Sequence, residues 1–368
     1  MASASFPRRR RRLLVLLLVV ALLNNAAPAA EAVPAVYVLG DSLADVGNNN
    51  YQLTLLRADF PPNGIDYPGR KATGRFSNGK NFADFLAEHL NLAPSPPFLA
   101  IRDCSNDGAV YANGVNFASG GAGVSSLTNM GQCISFDKQI EYYSEVHASL
   151  VKQLGYTGAQ DHLARSIFAI NIGSNDILDY VQQTSAAVSR ARYPTHEQFI
   201  RSLLHSLIGQ LQALYNLGAR KFLFVGAGPI GCCPVLRLQS PSKDCDEEAN
   251  ELSVRYNTAV ASLLHDMSAR RSDMSYSFFD TFRALLPFIE QPGNYGFDEV
   301  KAACCGLGDL NAVVPCTVVS SYCADRRRYV FWDFAHPTEA TVKKLLDIGL
   351  DGSAPFVYPR NIRRLIAV

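Results

Sequence analysis

The chain has 368 residues, 48% hydrophobic, 10% aromatic and 18% charged, a balance that supports a large buried core and excludes disorder over most of the length. Lys and Arg number 34 against 33 Asp and Glu, and five of those cations are the consecutive Arg8, Arg9, Arg10, Arg11 and Arg12. That run is a targeting feature; with no other basic face in evidence, no nucleic-acid partner is expected.

The arginines lead directly into eleven Leu, Val and Ala residues at 13–23, followed by the small residues Ala26, Ala27, Ala29, Ala30 and Ala32. Basic, apolar and small segments in that order predict a secretory signal peptide over 1–32, cleaved between 27 and 33. A helix needs about 20 apolar residues to cross a bilayer, so no integral membrane segment is expected in the mature chain. Its removal leaves 29 cations against 32 anions, a net charge of −3, on a secreted domain spanning 33–368.

Within that domain, 35–39 is a short apolar, partly β-branched run ending at Gly40, which predicts a buried strand and a turn. Similar runs lie at 114–118, 167–172, 221–225 and 275–279. Between and after them, apolar residues recur three and four apart over 82–90, 136–154, 197–217, 247–267 and 338–350, predicting helices. Strand alternating with helix predicts one α/β domain, a three-layer sandwich around a mainly five-stranded parallel sheet. Residues 291–322, rich in Gly, Cys and Pro, read as a long loop. Nine cysteines follow residue 32: Cys104, Cys133, Cys232, Cys233, Cys245, Cys304, Cys305, Cys316 and Cys323. In an oxidising compartment they favour bridges, at most four with one cysteine left over, and the connectivity stays open. Zinc is the competing reading, which the adjacent pairs Cys232-Cys233 and Cys304-Cys305 fit poorly. No metal and no cofactor is expected, and the oligomeric state is not legible.

In such folds ligands gather at the carboxyl ends of the strands. There the sequence places Gly40-Asp41-Ser42-Leu43, the glycine-rich stretch from Asn116 to Gly123, and Gly173-Ser174-Asn175-Asp176, while Asp333-Phe334-Ala335-His336 precedes the last long helix. Each alone suits a turn, a cap or a packed loop. Together they make chemical sense as acyl transfer. A serine hydroxyl needs a base to accept its proton as it attacks, and imidazole suits that task. His336 is the candidate base, Ser42 the nucleophile, and Asp333, three residues before the histidine, the acceptor that fixes its tautomer. The oxyanion would draw on the N–H of Ser42, the N–H of Gly121 or Gly120, with spacing favouring Gly121, and the amide of Asn175. His89, His147, His162, His196, His205 and His265 all fall in or beside helical patterns. No Gly-x-Ser-x-Gly elbow, phosphate loop or His-Glu-x-x-His motif is present.

At these residues the sequence resembles the plant GDSL esterase/lipase family of the SGNH hydrolases. The likeness covers the mature chain and is carried by Gly40-Asp41-Ser42-Leu43-Ala44-Asp45-Val46-Gly47-Asn48-Asn49-Asn50, by residues 114–123, by Ile172-Gly173-Ser174-Asn175-Asp176, by Gly228-Pro229-Ile230-Gly231-Cys232, by Cys304-Cys305-Gly306 and by residues 331–339. The resemblance implies a flavodoxin-like fold, secretion, hydrolysis of carboxylic esters, and the same Ser42, Asp333, His336, Gly121 and Asn175 as the working residues. Ala44 and Ile177 depart from the valine and tyrosine frequent in the family. Acyl lipids, cutin-type polyesters and acetylated polysaccharides are all admissible substrates. A catalytically idle binding protein on the same fold is the alternative.

Overall fold

In the computed structural model, which describes residues 33–103, 109–182 and 190–368, the short apolar runs become strands. They are β1 (Val36–Gly40), β2 (Val115–Asn116), β3 (Ile167–Asn171), β4 (Lys221–Val225) and β5 (Ser275–Phe279). Four more strands follow, β6 (Glu299–Ala303), β7 (Cys305–Gly306), β8 (Ser321–Tyr322) and β9 (Tyr329–Phe331), and then β10 (Val357–Tyr358). The first five run parallel in the order β2-β1-β3-β4-β5, with β10 added antiparallel beside β5. This is the flavodoxin-like order, so the sequence reading of a five-stranded parallel sheet gains one antiparallel edge strand. The expected signal peptide and Cys104 lie outside the described residues; Val33–Ile366 forms one compact unit.

The strands are apolar on both sides because both sides are covered. Tyr37, Leu39, Phe168, Ile170, Phe222, Phe224 and Phe278 point into one core, and Val36, Val38, Ile167, Ala169, Leu223 and Val225 into the other. The helices are α1 (Phe82–His89), α2 (Phe136–Arg165), α3 (Ser174–Val181), α4 (His196–Asn216), α5 (Glu247–Ala269), α6 (Thr281–Glu290) and α7 (Glu339–Asp351). The first core takes the apolar stripes of α2, α4 and α5; the second takes those of α1, α6 and α7. Asn81, Ser135, Thr195, Asp246, Asp280 and Thr338 cap six of these helices by accepting from first-turn N–H groups.

The structure departs from the sequence reading in three places. Helix α2 continues past 154 to Arg165 through a break at Gly155, which has φ of 71°. Helices α3 and α6, eight and ten residues long, are absent from the sequence reading. The stretch read as a loop over 291–322 contains β6, β7 and β8, with β6 parallel to β9 and β7 antiparallel to β8. Disulfides Cys304–Cys323 and Cys305–Cys316 close it, and Cys232–Cys245 closes a second loop. The direction of strand progression reverses between β1 and β3, and such a reversal opens a crevice at the carboxyl ends of those strands.

Candidate active site

Ser42 sits two residues beyond β1, at one side of that crevice. Gly40 makes the turn possible: its φ is 144°, and a Cβ there would lie 2.1 Å from the carbonyl oxygen of Asn171 on β3. The bend is pinned from below by Gln139 of α2, whose Oε1 accepts from Gly40 N–H at 2.8 Å while its Nε2 donates to the Gly40 carbonyl at 2.9 Å. Asp41 N–H donates to Asn171 O at 2.9 Å. The Asp41 carboxyl accepts from Leu43 N–H, and its second oxygen is buried with no partner. Burial pushes this carboxyl up to about 7, although the nearby His336 draws it down.

Asp333 and His336 come from the loop after β9. Trp332 N–H donates to the His336 carbonyl at 2.8 Å, closing the loop into a tight turn. Asp333 Oδ1 accepts from the backbone N–H groups of Ala335 and His336 at 3.0 and 2.8 Å. Both carboxylate oxygens lie 2.8 Å from His336 Nδ1, which makes Nδ1 the protonated nitrogen. The other nitrogen, Nε2, stands 2.7 Å from Ser42 Oγ, and in that tautomer it accepts a hydrogen bond from the hydroxyl. The imidazole packs between Phe76 and Phe334, with centroids 5.1 and 6.1 Å away. Burial opposes its protonation, but the charge and hydrogen bond of Asp333 outweigh burial and raise the histidine above its usual value.

The glycine-rich stretch after β2 faces the same cleft. Gly120 N–H is already committed to Asp45 Oδ2 at 3.0 Å, and a Cβ on Gly120 would meet the Phe76 ring at 2.5 Å. Among the described residues no acceptor meets the N–H of Gly121 or of Ser42, and both residues line the cleft. Asn175, in the first turn of α3, also lines it; one of its amide protons goes to Ala122 O at 3.0 Å, and the other is available to a substrate. Two buried aspartates brace this wall. Asp45 accepts from Gly47, Asn48 and Gly120 N–H, and Asp176 accepts from Val124 and Ser125 N–H and from Thr128 Oγ1. Burial pushes each of these carboxyl groups up to about 6. Asn48 and Asn49 tie the two loops together by donating to the carbonyls of Asn116, Ala118 and Gly120.

Ser42, Gly121, Asn175, Asp333 and His336 thus line one cleft of about 390 Å³ whose other walls include Leu55, Leu56, Phe60 and Phe334. A hydroxyl, a base with its tautomer fixed and N–H donors on the same cleft are groups that can activate an oxygen nucleophile and stabilise the anion it produces.

Comparison with known proteins agrees. Residues 36–348 match the family described as GDSL-like Lipase/Acylhydrolase. The Arabidopsis thaliana protein named GDSL esterase/lipase At5g55050 is 38% identical over 345 residues, covering 91% of this chain and 90% of that one. GDSL esterase/lipase At5g37690, from the same plant, is 37% identical and covers 88% of this chain and 90% of its own. The chain belongs to the GDSL esterase/lipase family. It is a carboxylic ester hydrolase with the mainly parallel α/β fold of that family.

The other histidines stand outside the GDSL cleft. His89 bonds the carbonyl of Phe85, His162 the Tyr37 hydroxyl, His147 Gln160 and His196 Glu248, while His205 and His265 are exposed on helices. Three of the four cysteines in the adjacent pairs are bridged, and none to its neighbour: Cys232 joins Cys245, Cys304 joins Cys323 and Cys305 joins Cys316. Cys133 and Cys233 are in no disulfide among the described residues. The sequence reading assigned no role to Gln139, Asp41, Asp45 or Asp176. For Gln139 a signal existed, since a glutamine falls on the inward apolar stripe of α2 between Phe136 and Tyr143.

Proposed function

We infer that the protein is a secreted serine esterase in which Ser42 attacks the ester carbonyl, His336 is the general base and Asp333 holds His336 in the working tautomer. The observation that carries this reading is the continuous set of contacts from Asp333 through both His336 nitrogens to Ser42 Oγ. In the first half-reaction, Ser42 Oγ bonds the carbonyl carbon as its proton passes to Nε2. The oxyanion is met by the N–H groups of Ser42 and Gly121 and by Asn175 Nδ2. Collapse expels the alcohol, which takes the proton from His336. Water repeats the sequence on the acyl-enzyme and releases the acid.

The apolar walls contributed by Leu56, Phe60 and Phe334 suit the acyl part of an ester. Acyl lipids, cutin-type polyesters and acetylated polysaccharides share that bond. Three disulfides support an oxidising, secretory destination. Among the described residues no helix is long and apolar enough to cross a membrane.

A fluorophosphonate probe tests the mechanism directly. Wild type is expected to label and to hydrolyse p-nitrophenyl acetate and butyrate; Ser42→Ala, equally well folded, is expected to do neither. Labelling that survives in Ser42→Ala would place the nucleophile elsewhere, and a folded wild type without labelling or turnover would favour the idle binding protein.

A further inference from the structure

Large apolar side chains are displayed to solvent around the mouth of the cleft, outside it. Leu53 is fully exposed, and Met130, Val318 and Val319 are 71%, 68% and 76% exposed. Each is within two residues of a chain that lines the cleft: Leu53 of Leu55, Met130 of Asn129, and Val318 and Val319 of Thr317. Scattered exposed apolar residues are ordinary, but these cluster on three loops that share one opening.

The loops are also held in place. Gln132 Oε1 accepts from Thr54 Oγ1 and Leu55 N–H, joining the first loop to the second. Val318 and Val319 occupy the tip of a turn in which Thr317 N–H donates to Ser320 Oγ and Ser320 N–H to the Thr317 carbonyl. Disulfides end on Cys316 and Cys323 at either side of that turn, so the two valines cannot fold back under the surface.

Charge is missing from the same three stretches. Residues 46–56, 121–136 and 311–323 contain no Asp, Glu, Lys or Arg, in a chain of which 18% is charged. Arg57, which lines the cleft, is paired with Asp59, and Asp179, which also lines it, stands on α3 outside these three stretches.

We propose that this rim docks the enzyme on the surface of an aggregated, uncharged lipid ester, with Leu53, Met130, Val318 and Val319 entering the surface and the cleft mouth facing it. The rim is continuous with the walls that receive the ester, so an occupant that covers the rim also presents ester bonds to Ser42. An uncharged rim matches an uncharged surface, where dehydration of apolar side chains is the only large gain. The proposal rests on the ester-hydrolase reading of the cleft but is tested separately from it.

The test compares wild type with the triple variant Leu53→Ser, Met130→Ser, Val319→Ser, none of which lines the cleft. Three readouts are taken: turnover of dissolved p-nitrophenyl acetate, turnover of emulsified tributyrin, and flotation of the protein with phosphatidylcholine-stabilised triolein droplets. The variant should lose about tenfold or more on the emulsion and should stop floating, while kcat/KM on the dissolved ester stays within about twofold. Equal behaviour of variant and wild type on droplets overturns the proposal. So does wild-type flotation that disappears between about 0.05 and about 1 M salt, since charge would then drive it. A wild type that self-associates through these residues, with droplet binding unaffected by the variant, overturns it in favour of a second copy. Failure of the dissolved-ester assay in wild type sinks the catalytic reading alone, and flotation still decides the docking.

Discussion

At the scale of single residues, two opposing forces meet on His336. Burial disfavours the imidazolium, and the Asp333 carboxylate, in contact with Nδ1, favours it more strongly. The base must be neutral to accept the serine proton, so activity is expected to be lost as pH falls through a value above the ordinary 6.5 or so of histidine. Asp333→Asn removes the cause of the rise, so the acidic limb of the kcat/KM profile should move down. The rate should fall by about 10³–10⁴-fold because the amide NH2 can donate to Nδ1 and hold the imidazole in the wrong tautomer. An acidic limb that stays in place would remove Asp333 from its assigned position. Asn175→Ala tests the oxyanion wall: kcat should fall by about 100-fold with little change in KM, the pattern of an interaction made only in the transition state. The sequence pointed to all five of these residues through motif spacing, and it favoured Gly121 over Gly120. What it could not show is that Asp45, 75 residues away, takes the Gly120 N–H.

At the scale of elements, the loop after the short strand β9 carries two of the three side chains proposed to react, Asp333 and His336. Their support is the disulfide-bridged segment before them, where Cys304 N–H donates to the Phe331 carbonyl and Cys305 N–H to that of Trp332. Trp332 is fully buried among Cys304, Cys305 and Cys316, and its Nε1 donates to Asn63 Oδ1 at 2.9 Å. Opening the Cys304–Cys323 bridge with Cys304→Ala, Cys323→Ala should cost about 2–4 kcal/mol by denaturant titration. Activity should fall along with it as the loop loosens. Trp332 is the only tryptophan in the chain, so its emission reports on this loop; it should be blue-shifted in the native protein and move to the red in the bridge variant. Unchanged emission and rate would show the bridge to be idle. Cysteine spacing announced a clamped loop here, but not the pairing. Partners were selected by how β6 and β7 lie against β9 and β8, a relation between segments distant in sequence.

At the scale of the whole molecule, the same buried groups predict that stability and activity respond to pH in opposite directions. The Asp41 carboxyl is raised to about 7 and those of Asp45 and Asp176 to about 6, all chiefly by burial. Between roughly pH 4 and 7 the folded chain therefore retains protons that the unfolded chain has released, so stability declines as pH rises through that window. His336, raised above its unfolded value, contributes in the same sense, its stabilisation being lost as pH rises past the folded value. Thermal melting should accordingly occur at higher temperature at pH 5.5 than at pH 8, reflecting a stability difference on the order of a few kcal/mol, while the esterase rate is greater at pH 8. A melting temperature that rises with pH over this range would contradict the burial of these carboxyl groups. The sequence by itself determined the layered fold and pointed to the candidate site residues, because apolar periodicity and short motifs are local properties written along the chain. Only the tertiary structure decided which of the two glycine N–H groups is left free, the disulfide partners, the aspartates that brace the cleft and the apolar rim around it. Each of these depends on which distant segments exclude water from one another, and burial of that kind is a property of the folded surface rather than of neighbouring residues.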